Sequence, residues 1–224
     1  MSGQLYTIRI TLRDTKPPIW RRLAVPADIT LGQLHEVIQI AMGWTDSHLH
    51  QYVLRDKALK PSRDEIREVD DADAWTGAFI NRLRGERVFT ATTTPFGDPT
   101  DMEGEDEDAI PLAEVCPKVK SKLTYEYDFG DGWEHVIEVQ KIMKPKPGEE
   151  YPRCLAGKKA CPPEDCGGVF GYYRMLEVVA DPEHEEHEDI VEWLGDDFDH
   201  EAFDIDEVND VLAEWGKGQA RSDE

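Results

Sequence analysis

Apolar and polar residues alternate with period two over Leu5–Leu12, so Tyr6, Ile8, Ile10 and Leu12 share one face of a half-buried strand. Pro17-Pro18 interrupts the pattern, and Ile19–Val25 resumes it with Ile19, Leu23 and Val25 on one side and Arg21 among them. Thr30 and Gln33 then have the spacing of a capping box. Leu31, Leu34, Val37, Ile38 and Ala41 follow at helical intervals, and Gly43 supplies a residue suited to ending a helix. Leu49–Leu54 reads as a further strand, which completes a strand-strand-helix-strand opening.

The strongest local pattern runs from Leu123 to Met143. Leu123, Tyr125, Tyr127 and Phe129 alternate with polar residues, Gly130-Asp131-Gly132 tolerates positive φ, and Trp133, His135, Ile137 and Val139 alternate on the way back. This predicts a central β-hairpin. Ala72–Leu83 has helical spacing at Trp75, Phe79 and Leu83, Arg87–Thr92 reads as a short strand, and 95–108 reads as an exposed, mobile acidic loop. Residues 151–170 are rich in Cys, Pro and Gly and carry no period. Gly171–Ala180, Glu183–Leu194 and Asp206–Trp215 read as three helices, with 217–224 a disordered tail. Strands first and helices last predict one α+β domain over 1–216, with a mixed or antiparallel sheet and a C-terminal helical segment.

Charge narrows the partners. Lys and Arg number 25 against 48 Asp and Glu, a formal net charge of −23 over 224 residues. Non-specific nucleic-acid binding needs several cations facing phosphates, so it is not expected; beyond solvated surface, the acidic runs leave open a cation site, a protein partner with a basic surface, or mimicry of nucleic acid. Fourteen acids and no Lys or Arg fall in 183–210, a pattern read first as solvated surface. No run approaches the roughly 18 apolar residues of a membrane span. The first residues lack the basic and apolar segments of a secretion signal, so the expected compartment is the cytoplasm.

Four cysteines are present. Persistent disulfides are not expected in a cytoplasmic protein, and Cys154, Cys161 and Cys166 lie in a Gly-rich stretch where thiolates can bind zinc. His135, Asp165 or Cys116 could supply a fourth ligand, and His135 stands out because it shares the apolar face of its strand with Trp133 and Ile137. Free structural thiols and a satisfied core histidine are the commoner outcomes. His184 and His187 are three apart, not the four of the zinc-protease helix, and read as a solvated helix start. His35, His48 and His50 lie near the first helix and could converge. Asp128-Phe129-Gly130 matches a kinase magnesium tripeptide, but no other kinase signature accompanies it.

Three segments together resemble the plasmid pRiA4b ORF-3-like family: Tyr125 to His135, Cys154 through Pro162-Pro163-Glu164-Asp165-Cys166-Gly167-Gly168 to Tyr172, and Trp193 through Phe203. Leu31 to His35 before Gly43-Trp44 and Leu49 agrees, and the resemblance spans about residues 5 to 215. It implies a compact α+β unit of bacteria and archaea, often encoded near plasmids or mobile elements. The cysteines are less regular in that family than the Pro-Pro-Glu-Asp run.

Asp128 and Asp131 flank the hairpin turn, and Glu164-Asp165 lies in a Pro-stiffened loop. Brought together with Trp133 and His135, they would make an acidic ligand pocket suited to zinc or another divalent cation, or to a cationic ligand. The alternative is that these aspartates merely accept hydrogen bonds from loop amides. No nucleophile, base and oxyanion set is recognisable. The first expectation is therefore a non-catalytic binding or interaction module associated with mobile elements; the alternative is a metal-dependent hydrolase or nuclease using an Asp/His/Cys site.

Overall fold

The computed structural model describes residues 3–62, 76–91, 104–195 and 198–222. Along the chain run β1 (Leu5–Leu12), β2 (Trp20–Pro26), α1 (Leu31–Met42), β3 (His50–Arg55), α2 (Gly77–Arg84), β4 (Glu86–Thr90) and β5 (Glu105–Asp106). They are followed by α3 (Leu112–Val115), β6 (Lys122–Tyr127), β7 (Trp133–Met143), β8 (Arg153–Lys158), α4 (Gly168–Ala180), α5 (His187–Leu194) and α6 (Ile205–Ser222). The described strands form one eight-stranded sheet in the order β5-β4-β3-β6-β7-β1-β2-β8. Every pairing is antiparallel except β4 with β5. The fold is α+β, with the expected strand-strand-helix-strand opening, central hairpin and C-terminal helices.

The two sheet faces differ as the alternation requires. Ile8, Ile10, Leu12, Leu23, Val25, Tyr52, Tyr125, Tyr127, Trp133, Ile137 and Val139 pack under α1, whose Leu31, Leu34, Val37, Ile38 and Ala41 close the core. The other face carries a polar network: Arg55 reaches Glu86, Glu126 and Glu134, and Arg22 donates to Gln140 Oε1 at 2.9 Å. At the start of α1 both bonds of the capping box are formed between Thr30 and Gln33, an arrangement worth about 1 kcal/mol. At its end Gly43 is left-handed at φ 86°. Arg21, the charge among apolar neighbours, is buried because Nε donates to Ala41 O at 2.7 Å, at the electronegative end of α1, while the guanidinium lies 4.0 Å from the Phe203 ring.

Several boundaries differ from the sequence reading. Arg153–Lys158, which carries no period, is the edge strand β8 beside β2. Its bulge at Arg22/Leu23 and its polar outer residues erase the alternation. The second C-terminal helix begins at His187, because residues 182–186 form turns first. The last helix continues past Trp215 to Ser222, through the stretch read as a tail; Trp215 Nε1 donates to Glu36 on α1, which ties it down. Residues 72–75 of the expected Ala72–Leu83 helix and 95–103 of the expected acidic loop lie outside the described residues. The rest of that loop is ordered structure. Glu107, expected at the surface, is 3% exposed because His50 Nε2 sits 3.0 Å from both of its carboxylate oxygens.

Candidate metal centre

Three loops meet at one end of the hairpin. The first, Asp128–Gly132, joins β6 to β7. Asp128 is left-handed at φ 54°, and its Oδ1 accepts from the amides of Gly130 at 2.9 Å and Asp131 at 3.3 Å. This is the backbone-mimicking turn that Asp forms readily. The second loop, Pro162–Gly168, packs directly on it. Gly167 N donates to Asp131 Oδ2 at 3.1 Å. Gly168 has φ 67°, and a Cβ there would lie 2.3 Å from Asp131 O, so only glycine allows this approach. The third loop, 43–49, leaves α1 and enters β3. Glu164 accepts from Thr45 N at 3.1 Å, from the Thr45 hydroxyl and from the Tyr127 hydroxyl. Trp44 Nε1 donates to Pro162 O at 2.9 Å, and Ser47 N to the Tyr127 oxygen at 3.0 Å.

This arrangement aims His48 between two aspartates. His48 Nε2 lies 3.3 Å from Asp165 Oδ1 and 3.7 Å from Asp128 Oδ2. The three ligand atoms all lie within 4.8 Å of one another. The nitrogen is shielded from solvent yet has no hydrogen-bond partner among the described residues. Asp128 is buried, whereas the Asp165 side chain is 74% exposed, so the group opens to solvent on the Asp165 side.

A second group, His35, Asp46 and His50, lies at the other side of the same loop. Here the hydrogen bonds are complete. His35 Nδ1 meets Tyr125 Oη and Nε2 meets Asp46 Oδ1, each at 2.8 Å; Gln39 bonds both Tyr125 Oη and Asp46 N. The His35 and His50 rings stack, with centroids 3.5 Å apart and planes 4° from parallel. Lone pairs lying in parallel planes do not converge on one ion, so this group serves as a clamp on loop 43–49 and not as a ready coordination site. Burial pushes the His35 pKa down, more than the Asp46 contact raises it. Although burial works the other way, the hydrogen bond to His35 and the His35 charge hold the Asp46 carboxyl below its usual range.

The residues singled out in the sequence separate into three sets. Asp128 and Asp165 face His48. Asp131 and Glu164 sit beside them, occupied in holding the loops together. Trp133 and His135 are fully buried beneath, in an aromatic cluster with Trp44, Tyr125 and Tyr127. Burial pushes the His135 pKa down to about 3, with the neighbouring backbone of Tyr125 and Trp133 offsetting it only in part. Neither ring nitrogen of His135, nor Trp133 Nε1, has a hydrogen-bond partner among the described residues.

The thiols do not gather with His135: among the described residues no group of three ligand atoms includes a cysteine. Cys154 Sγ lies 3.6 Å from Ala156 O, Cys161 Sγ 3.6 Å from Met42 Sδ, and Cys166 Sγ 3.9 Å from Gly168 O. Cys116 is in the main core. Burial pushes Cys161 up to about 11 and Cys116 and Cys166 to about 12, which keeps them as neutral thiols. The strand β8 separates Cys154 from the other two, which explains why closeness in sequence fails in space.

His48 entered the sequence reading only together with His35 and His50, as histidines near the first helix that could converge. Its position is a signal: it follows the polar run Thr45-Asp46-Ser47 in the short connection between the Gly43 cap and the strand expected from Leu49. What the chain could not display is that its partners come 80 and 117 residues later.

These features define a class: an α+β protein in which three loops set a histidine between two aspartates at the bend of a central hairpin. The chain belongs to the plasmid pRiA4b ORF-3-like protein family, whose model matches residues 4–207. It is 33% identical over 226 residues to the "Uncharacterized protein y4hQ" of Sinorhizobium fredii, covering 99% of each chain. Among solved structures it is similar to the crystal structure of a "Protein of Unknown Function MM3350 from Methanosarcina mazei Go1". That likeness has a TM-score of 0.70 and 34% identity, over 91% of this chain and 96% of that one. Among the described residues no helix is long and apolar enough to cross a membrane.

Proposed function

We propose that the protein is a metal-dependent hydrolase whose divalent cation is held by His48 Nε2, Asp128 Oδ2 and Asp165 Oδ1. The observation that supports this reading is the shielded His48 nitrogen that two carboxylates approach without hydrogen bonding. Ligands on a metal with bonds of about 2.0–2.2 Å are separated by roughly 3–3.5 Å, and the His48 contacts at 3.3 and 3.7 Å are of that order. One imidazole and two carboxylates suit zinc or manganese. Three protein ligands with an open side at Asp165 leave positions for water and substrate, as hydrolysis requires. The ion would lower the pKa of bound water and polarise the substrate's carbonyl. Asp128 is pre-oriented by the two amides on its Oδ1, the kind of outer support that tunes a metal ligand.

The test is metal titration of the chelated protein. One Zn2+ or Mn2+ per chain is expected, with affinity reduced at least tenfold by His48→Ala or Asp128→Asn, and with an amide- or ester-hydrolysing activity abolished by chelator. Equal metal affinity in wild type and both variants would overturn the reading. A non-catalytic cation-binding module is the second reading. It is favoured by the engagement of Glu164 and Asp131 in loop hydrogen bonds, which leaves neither as a free general base. Stoichiometric metal without turnover on any amide or ester would select it.

A further inference from the structure

A cavity of about 250 Å3 opens beside Asp165, between α4 and α5. Its walls follow from helical spacing: Gly171, Arg174, Met175 and Val178 share one side of α4 and face Glu186, Ile190 and Trp193. Met175 and Val178 form a buried apolar floor, while Trp193 is 51% exposed at the edge. Arg174 is the one basic residue lining it, paired with Glu186 through Nη2. The guanidinium has five donors in a fork that matches a carboxylate, so Nε and Nη1 can take a second anion. Glycine at 171 is required, since a Cβ there would lie 1.9 Å from Cys166 O and would push apart the start of α4 and the Asp165 loop. The volume falls below the roughly 300–1,000 Å3 of ordinary ligand pockets, which limits the occupant to about one amino acid. No residue of α5 is buried, so this wall can adjust to what enters.

Resting on the metal-hydrolase reading above, we propose that this cavity is the specificity pocket of that centre and takes an N-acylated amino acid with an apolar side chain. The side chain lies on Met175, Val178 and Ile190, the carboxylate pairs with Arg174, and the acyl carbonyl is presented at the Asp165 end. The reaction is amide hydrolysis. Water's oxygen bonds to the acyl carbon, the C–N bond breaks, and the nitrogen leaves with a proton from that water, giving a carboxylic acid and the free amino acid. The cavity lining carries Asp165 and Glu186 against this one guanidinium, so capture of a monoanion relies on the directed donors that Arg174 keeps beyond its Glu186 pair, while charges farther than about 8 Å are largely screened at physiological salt.

Binding is measured first on metal-free protein, by NMR titration with N-acetyl-L-leucine, N-acetyl-L-leucinamide and N-acetylglycine. The expected result is that N-acetyl-L-leucine binds at least tenfold tighter than either control. Arg174→Gln should erase the preference for acid over amide, and Ile190→Trp, which fills the cavity, should weaken N-acetyl-L-leucine at least tenfold in a chain of unchanged circular dichroism. Three equal affinities, or an unchanged preference in Arg174→Gln, would overturn the proposal. Because this arm uses no metal, its failure leaves the metal centre standing. Conversely, selective binding without release of leucine when Zn2+ or Mn2+ is restored would sink the catalytic reading and keep the pocket.

Discussion

His135 offers a quantitative test of how the core beneath the three loops is built. It is 0% exposed, its pKa is driven down to about 3 by burial, and the unfolded chain would titrate near the ordinary value of 6.5. The sign follows from proton counts. Between pH 3 and 6.5 the unfolded state binds a proton that the folded state does not, so acid favours unfolding there. The stability associated with a neutral His135 is complete above pH 6.5 and falls as pH is lowered towards 3. At pH 4.5 the loss relative to pH 7 is about two pKa units, or about 3 kcal/mol. His135→Phe removes this titration while keeping an aromatic ring of similar size. Urea unfolding of both proteins at pH 7 and pH 4.5 measures it, since the carboxylates and His35 titrate alike in the two and cancel in the difference. The wild type should lose about 3 kcal/mol more than the variant over this interval, equivalent to roughly 6–12 °C in Tm for a chain of this size. Equal losses would refute the reasoning and would mean that a buried water or ion satisfies the imidazole. The same variant should keep its metal affinity, because His135 lies below the candidate centre and not in it.

Two further substitutions probe the meeting of the loops. Gly168→Ala would force a Cβ to within 2.3 Å of Asp131 O at a left-handed φ, and should lower unfolding free energy by about 2–3 kcal/mol in urea melts and weaken metal binding with it. Tyr127→Phe deletes the donor to Glu164 and the acceptor for Ser47 N, and should destabilise by about 1–3 kcal/mol while loosening loop 43–49, read as faster amide exchange at Ser47 and His48.

How far the chain could be read depends on where each element's information resides. β1, α1 and the hairpin were legible because their signals are local: alternation over Leu5–Leu12, the Thr30–Gln33 box with Gly43, and Leu123–Val139. β8 was not, because an edge strand with a bulge, half of it exposed, needs no alternation. The burial of Glu107 was also out of reach, since a carboxylate in an acid-rich stretch gives no hint that a histidine 57 residues earlier will enclose it. At the candidate site the aspartates were legible from turn chemistry at 128 and 165, both of which are left-handed. The cysteines misled because spacing along a chain constrains distance only when the intervening backbone does not run off as a strand. His135 drew notice as a polar residue on an apolar face, which is a signal of burial and not of ligation.

The charge distribution bears on which bond a metal at His48, Asp128 and Asp165 would break. A phosphodiester needs cations beside the ion to receive the non-bridging oxygens and the flanking backbone. Around this centre the neighbouring side chains are Asp131 and Glu164, the described ion pairs of the three loops involve histidine and aspartate, and the one basic residue of the adjoining cavity, Arg174, is already paired with Glu186. Within a screening length of about 8 Å these carboxylates would oppose a polyanion while favouring capture of the divalent ion itself. An amide or ester carbonyl carries no charge until the transition state, when the developing oxyanion is met by the metal. The same acidity that would draw a cation to the site would act against a phosphodiester backbone and leave an acyl carbonyl unopposed, through residues that also hold the three loops in register.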